Sequence, residues 1–284
     1  MRMLNEMHLL NRIGSHLRSY YFTHRYKNYL PFLVISVGQA CNLKCKNCGN
    51  FAPYAPANHK RYDLWKILEC IETIIHAVGY IGGVQIQGGE PFLYSDLNKL
   101  LLSLGQNPRV GSICIATNGS FNGYNKAVLS TIKKYRIGVR ISDYKIEGYE
   151  NAQKEFANTL NHAGIRYAYY EFTGDDSFWL FCGDQNTKKE TGDSIVEERF
   201  RNCAFNDCYT LENGILVRCS RAYNATFVQK FALQERDFID ILHESNLKER
   251  LPQYLKQPEF MEACRYCYGT SGEKCRAGEQ ITEG

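Results

Sequence analysis

No stretch of the sequence is long and apolar enough for a membrane span or the core of a signal peptide, so a membrane-spanning or exported protein is not expected and the expected compartment is the cytoplasm. A surplus of one charge is missing too. The 34 Lys and Arg stand against 30 Asp and Glu, and the net charge of +4 is too near balance to argue for a nucleic-acid partner. Basic bias is local: residues 1–30 carry Arg2, Arg12, Arg18, Arg25 and Lys27 against Glu6, which reads as a solvated helix face rather than an anion-binding arm. Internal repeats and low-complexity tracts are absent as well, which leaves an ordinary globular chain.

What the sequence does have is a 44% hydrophobic content, ample for a core, and twelve cysteines. For a cytoplasmic chain that cysteine count turns on spacing, and the spacing favours metal over disulfides. Cys41, Cys45 and Cys48 form one group, Cys203, Cys208, Cys219, Cys264, Cys267 and Cys275 a second, and only Cys70, Cys114 and Cys182 stand alone.

An apolar run at Pro31–Val37 predicts a buried strand, and Leu64, Ile67, Leu68, Ile71, Ile74, Ile75 and Val78 recur at helical spacing. Cys70 then reads as a small packed residue of that helix. Strands over 84–88, 112–117, 138–142 and 166–172 alternate with helices over 95–104, 124–135 and 149–162, a repeated βα unit that forces parallel strands and gathers ligands at their C-terminal ends. With Phe178–Phe181 counted, about six strands are visible, fewer than a closed barrel needs. The expected fold class is therefore α/β, a partial (β/α)6 barrel over 31–200. It follows a basic helical segment at 1–30 and precedes a small Cys-rich domain at 201–284, where Thr210–Ser220 reads as a hairpin turning at Asn213 and Gly214.

The segment QACNLKCKNC follows the first strand directly. Three thiolates at CxxxCxxC spacing can wrap an iron cluster while leaving one of four irons open to chelate a small molecule; a structural zinc would need a fourth ligand such as His59. The next three strand ends carry compatible groups. IQGGEP at 86–91 offers close backbone approach at Gly88 and Gly89 and an acceptor for an ammonium at Glu90. IATNG at 115–119 offers Asn118 to a ribose or adenine edge, and VRISD at 139–143 offers Arg140 to a carboxylate and Ser142 as a donor.

In these motifs the sequence resembles the radical S-adenosylmethionine (SAM) superfamily over residues 32–180. The resemblance implies a SAM-binding 4Fe-4S cluster on Cys41, Cys45 and Cys48. It also implies that Gly88, Gly89 and Glu90 hold the methionyl amine, that Asn118 and Ser142 lie near ribose and carboxylate, and that a flavodoxin- or ferredoxin-type protein donates electrons. Where relatives place an aromatic residue before the third cysteine, this chain has Asn47, which leaves Phe51 to pack the adenine.

The second cysteine group is similar to the auxiliary-cluster appendage called twitch or SPASM, which implies one further 4Fe-4S cluster. Cys203, Cys208, Cys219, Cys264 and Cys267 are its candidate ligands, with Cys275 behind them and a structural zinc as the alternative. The resemblance implies hydrogen abstraction from an unactivated carbon of a sugar, amino sugar or cyclitol, for dehydrogenation or epimerisation. A peptide maturase and a non-enzymatic electron carrier are the competing readings. Tyr167, Tyr169, Tyr170 and Phe172 are either site lining or core. Cys182, just past the last apolar strand, is a candidate hydrogen donor to a substrate radical; its other reading is a packed thiol.

Overall fold

Helix α1 (Leu64–Val78) shows why the alternating pattern folds as it does. Asp63 caps it by accepting from the Lys66 amide at 2.9 Å, and Gly79, at φ 82°, ends it. Its buried stripe of Leu64, Ile67, Cys70, Ile71, Ile74, Ile75 and Val78 covers one face of the sheet, each large side chain contributing about 1.5–3 kcal/mol by leaving water. Cys70 is thus a packed core residue.

The structure, a computed structural model, describes residues 26, 29–121, 124–171, 178–256 and 259–282; the basic segment expected at 1–30 falls almost wholly outside them. Strands β1 (Leu33–Ser36), β2 (Ile81–Gln87), β3 (Val110–Thr117), β4 (Gly138–Asp143) and β5 (Tyr167–Glu171) are separated by α1, α2 (Leu97–Gln106), α3 (Lys126–Lys134) and α4 (Glu150–Ala163). Neighbouring strands pair in parallel in the order β5-β4-β3-β2-β1, so all five present their C-terminal ends on the same side. The α/β class and the open parallel barrel follow the expectation. Among the described residues no helix is long and apolar enough to cross a membrane.

The sixth strand departs from it. Strand β6 (Phe178–Leu180) leaves the barrel and pairs antiparallel with β10 (Lys274–Arg276). A sixth parallel strand instead joins the opposite edge, where β7 (Thr210–Glu212) lies beside β1. Asn213 and Gly214, at φ 50° and 93°, then turn the chain into β8 (Ile215–Val217), and β9 (Phe238–Asp240) extends the sheet. The chain after residue 200 therefore shares the barrel's sheet. Helices α5 (Asp193–Arg201), α6 (Ala222–Gln229) and α7 (Leu247–Lys256) complete this part.

Glu212, fully buried on β7, fastens this edge. Its Oε1 accepts from Gln39 Nε2 at 3.2 Å and from Asn224 Nδ2 at 3.0 Å, joining the loop after β1 to α6. Burial pushes its carboxyl up from 4.5 to about 7. The folded chain therefore holds this proton more tightly than the unfolded chain, and the resulting stability is full below about 4.5 and drains as pH rises through about 7. Urea unfolding between about pH 5 and about pH 8 should show stability falling with pH, and Glu212→Gln should flatten that fall by on the order of 2–3 kcal/mol. An unchanged slope in the variant would mean that Glu212 ionises without cost.

Candidate functional site

Beyond β1 the chain runs through Gly38, Gln39 and Ala40 into Cys41, and the loop after β2 is bonded directly onto it. Gly89 donates its amide to the Gly38 carbonyl at 3.0 Å, and Glu90 donates to the Ala40 carbonyl at 2.7 Å. A Cβ on Gly88 would stand 2.2 Å from the Gly38 oxygen, and one on Gly89 would stand 2.3 Å from the Ala40 oxygen. The two glycines are thus required for the contact between loops, a reason additional to the ligand approach read from the sequence.

A cavity of about 490 Å³ opens at these strand ends. Cys41, Cys45, Cys48, Gly88, Gly89, Asn118, Arg140, Ser142 and Cys182, all singled out in the sequence, line it together. Glu90 does not: it is buried behind the wall, with Oε1 accepting from the Phe92 amide at 3.1 Å and Thr117 Oγ1 at 2.8 Å, and Oε2 from the Asn118 amide at 2.9 Å. Where an ammonium acceptor was expected, the carboxylate ties the β2 loop to the end of β3. Burial pushes it up to about 7, opposed by these three donors.

Asn118 is similarly engaged. Its Oδ1 accepts from the Ser120 amide and hydroxyl at 2.8 and 2.6 Å, while Nδ2 donates to Asn42 Oδ1 at 3.0 Å and points toward Cys41 Sγ at 3.8 Å. Arg140 differs, because its Nε is buried without a hydrogen-bond partner and its guanidinium stands 5.7 Å from the Tyr170 ring centroid. An unpaired guanidinium nitrogen on a cavity wall is a ready donor to a carboxylate.

The three thiols share one electrostatic condition. Burial pushes Cys41 up to about 12 and Cys45 up to about 11, and it raises Cys48 as well. Protons are therefore held until a cation replaces them. Among the described residues no three His, Cys, Asp or Glu side chains converge on a single ion. A strap from the end of the chain closes the loop from outside: Lys46 donates to the Glu279 carbonyl at 2.7 Å, Ile281 to the Lys44 carbonyl at 2.8 Å, and Gln280 Nε2 to Cys45 Sγ at 3.3 Å.

Of the second group, Cys203, Cys219, Cys264 and Cys267 line one pocket. Cys208 stands close to Cys203 and Cys219 but is not on that pocket's wall. Cys275 is apart from them: it sits on β10 opposite Trp179, because that strand pairs with β6, and its sulfur accepts from the Asn47 side chain. Cys182 lies between the two sites. It lines the large cavity, and its thiol donates to Cys267, a bond that with Arg221 lowers Cys267 to about 6 and raises Cys182.

Sequence reasoning missed several wall residues. Trp179 and Tyr144 meet edge to face with ring centroids 4.9 Å apart, and Phe205 and Ser220 come from the C-terminal part. Only the out-of-sheet path of β6 brings Trp179 there. Of the tyrosines on β5, Tyr170 reaches the cavity and is 53% exposed, whereas Tyr167 and Tyr169 pack against the core; Phe172 lies outside the described residues. Phe51, expected beside an adenine, is buried with Arg221 stacked 3.9 Å from its ring centroid and is not on the cavity wall.

Comparison with known proteins agrees with this geometry. Residues 35–167 match the family described as the Radical SAM superfamily. Curated relatives include a GTP 3',8-cyclase of Clostridium acetobutylicum, 31% identical over 32% of this chain and 28% of its own length. Another, from Pelotomaculum thermopropionicum, is 26% identical over 44% and 38% respectively. The chain thus spans well under half of the length of these relatives. Among solved structures, that of BtrN in complex with AdoMet and 2-DOIA superposes with a TM-score of 0.54 at 15% identity, covering 89% of this chain and 97% of BtrN, a likeness of fold. The matched span carries Cys41, Cys45 and Cys48 and the strand ends that line the cavity.

Proposed function

We propose that this chain is a radical SAM enzyme acting on a small polar molecule such as a sugar, amino sugar or cyclitol. One observation carries the reading: a single cavity at the ends of the parallel strands is lined by three cysteines, two glycines and an arginine with an unpartnered nitrogen. The donor set fits the groups that the family uses. Cys41, Cys45 and Cys48 would hold a 4Fe-4S cluster by three of its irons, and Gly88, Gly89, Arg140 and Ser142 would receive the polar end of SAM. Cys203, Cys219, Cys264 and Cys267 would hold a second cluster, leaving Cys208 and Cys275 outside the ligand set. When bound, cluster and SAM together supply an adenosyl radical able to take hydrogen from an unactivated carbon.

The chain's own residues do the rest. Glu90 keeps the ends of β2 and β3 in register through its three donors, and Asn118 holds the Cys41 loop to the end of β3. Tyr170 and Phe205, about half exposed, rim the opening, where aromatic faces suit the C–H faces of a ring-shaped polyol.

Anaerobic reconstitution should give about eight irons per chain, and Cys41, Cys45 and Cys48 changed together to Ala should leave about four. Full iron content in that triple variant would remove the SAM-cluster assignment. Reduced, reconstituted enzyme with SAM should release 5′-deoxyadenosine; none from fully loaded protein would favour an electron carrier.

Deuterated sugars, aminocyclitols and peptides should be screened for deuterium transfer into 5′-deoxyadenosine, with transfer expected from a carbohydrate. Transfer from a peptide alone would make the protein a peptide maturase. Cys182 separates two outcomes of the carbohydrate reaction. If the reaction inverts a carbon, Cys182 gives a hydrogen atom to the substrate radical and is left as a thiyl radical, which one electron from the donor protein and one solvent proton return to the thiol; wild-type product formed in heavy water then carries one solvent deuteron that Cys182→Ala cannot deliver. If the reaction is a dehydrogenation, the variant turns over normally and no deuterium enters at carbon.

A further inference from the structure

Arg221, at the start of α6 and only 8% exposed, reaches both cysteine groups at once. Its Nη1 donates to the carbonyl of Gly49, next to Cys48, at 3.3 Å, and its Nη2 donates to the carbonyl of Gly183, next to Cys182. Its guanidinium lies 3.9 Å from the centroid of the Phe51 ring, and it forms part of the wall of the pocket that holds Cys203, Cys219, Cys264 and Cys267. Its Nε is buried without a hydrogen-bond partner. Among the described residues no Asp or Glu forms an ion pair with it.

A buried cation with two carbonyls and a ring face for company is expensive unless negative charge lies nearby. Cysteine sulfur lies on either side: Gly49, to which Arg221 donates, follows Cys48, and Arg221 lines the second pocket together with Cys219 and Cys267. An arginine never gives up its proton here, so the field it applies is permanent. A centre that becomes more negative on reduction gains from a fixed positive charge in a medium of low dielectric, and one guanidinium between two such centres acts on both.

We propose that Arg221 is a shared cation between the two thiolate centres, a positioning residue that raises the reduction potential of each; this rests on the reading that both groups carry iron–sulfur clusters. Its charge offsets the anionic ligands on both sides, and its bonds to Gly49 and Gly183 hold the Cys48 loop against the segment carrying Cys182. The large cavity and the second pocket are thereby fixed at one separation.

The test is a redox titration followed by electron paramagnetic resonance on reconstituted wild-type, Arg221→Lys and Arg221→Gln proteins, with the two centres told apart by the effect of added SAM on the first. Arg221→Gln should make reduction of both centres about tenfold less favourable, about 59 mV for a one-electron couple, while Arg221→Lys, which keeps the charge, stays near wild type. Both potentials unchanged in a fully loaded Arg221→Gln protein, or a shift in one alone, would overturn the proposal. If Arg221→Gln fails to hold its clusters while Arg221→Lys loads both, the charge is needed and the proposal stands. Equal loss of iron in both variants would show that only the shape of arginine matters, and the proposal would fall. Wild-type protein that loads no second cluster would instead remove the reading on which it rests.

Discussion

The site depends on one close approach, that of the loop after β2 to the loop after β1. Two backbone hydrogen bonds, Gly89 to Gly38 and Glu90 to Ala40, fix the segment that leads into Cys41, and no side chain larger than hydrogen fits at Gly88 or Gly89. Everything downstream of that contact is ordered by it. Once the Glu90 backbone is set, its carboxylate stands where Thr117 and the Asn118 amide can donate, and Asn118 can reach back to Asn42 in the cysteine loop. A closed circuit of hydrogen bonds thus runs from the end of β1 to β2, on to β3, and back to the cysteines.

The same circuit extends outward. Gln153 of α4 donates to the Asn118 carbonyl at 2.6 Å, so the helix between β4 and β5 supports the end of β3 from below. On the opposite edge, Gln39 of the cysteine loop donates to Glu212 of β7, which places the C-terminal hairpin under the same loop. The cavity wall is tied by hydrogen bonds where strands end and open where Tyr170 and Phe205 project.

Much of this was legible in the sequence because it depends on local pattern. The helical spacing from Leu64 to Val78, the alternating strands and the Asn213–Gly214 turn are short-range signals, and the structure keeps them within a few residues. The strand-end motifs were legible for a topological reason: parallel βα units bring their loops together whatever the details. What could not be read depends on contacts far apart in the chain. Nothing local to Phe178–Leu180 says that it will pair with Lys274–Arg276 instead of extending the barrel, and that pairing is what sets Cys275 apart from the pocket of Cys203, Cys219, Cys264 and Cys267. The surroundings of Glu90 could not be read, because the sequence shows a carboxylate but not the three internal donors awaiting it. Arg221 gave no signal beyond its place near Cys219.

The strap over the first cysteine loop has a consequence for the order of biosynthesis. Gln280 bonds to Cys45 from 235 positions further along the chain. Cys41, Cys45 and Cys48 leave the ribosome well before the segment that shields them, which follows 235 positions after Cys45. Until then their sulfurs lack both the Gln280 donor and the cover of the Lys44–Ile281 pairing. Insertion of iron before that segment emerges would take place in a loop still open to water and oxygen. The finished enclosure can only be assembled once Gln280 and Ile281 have been made.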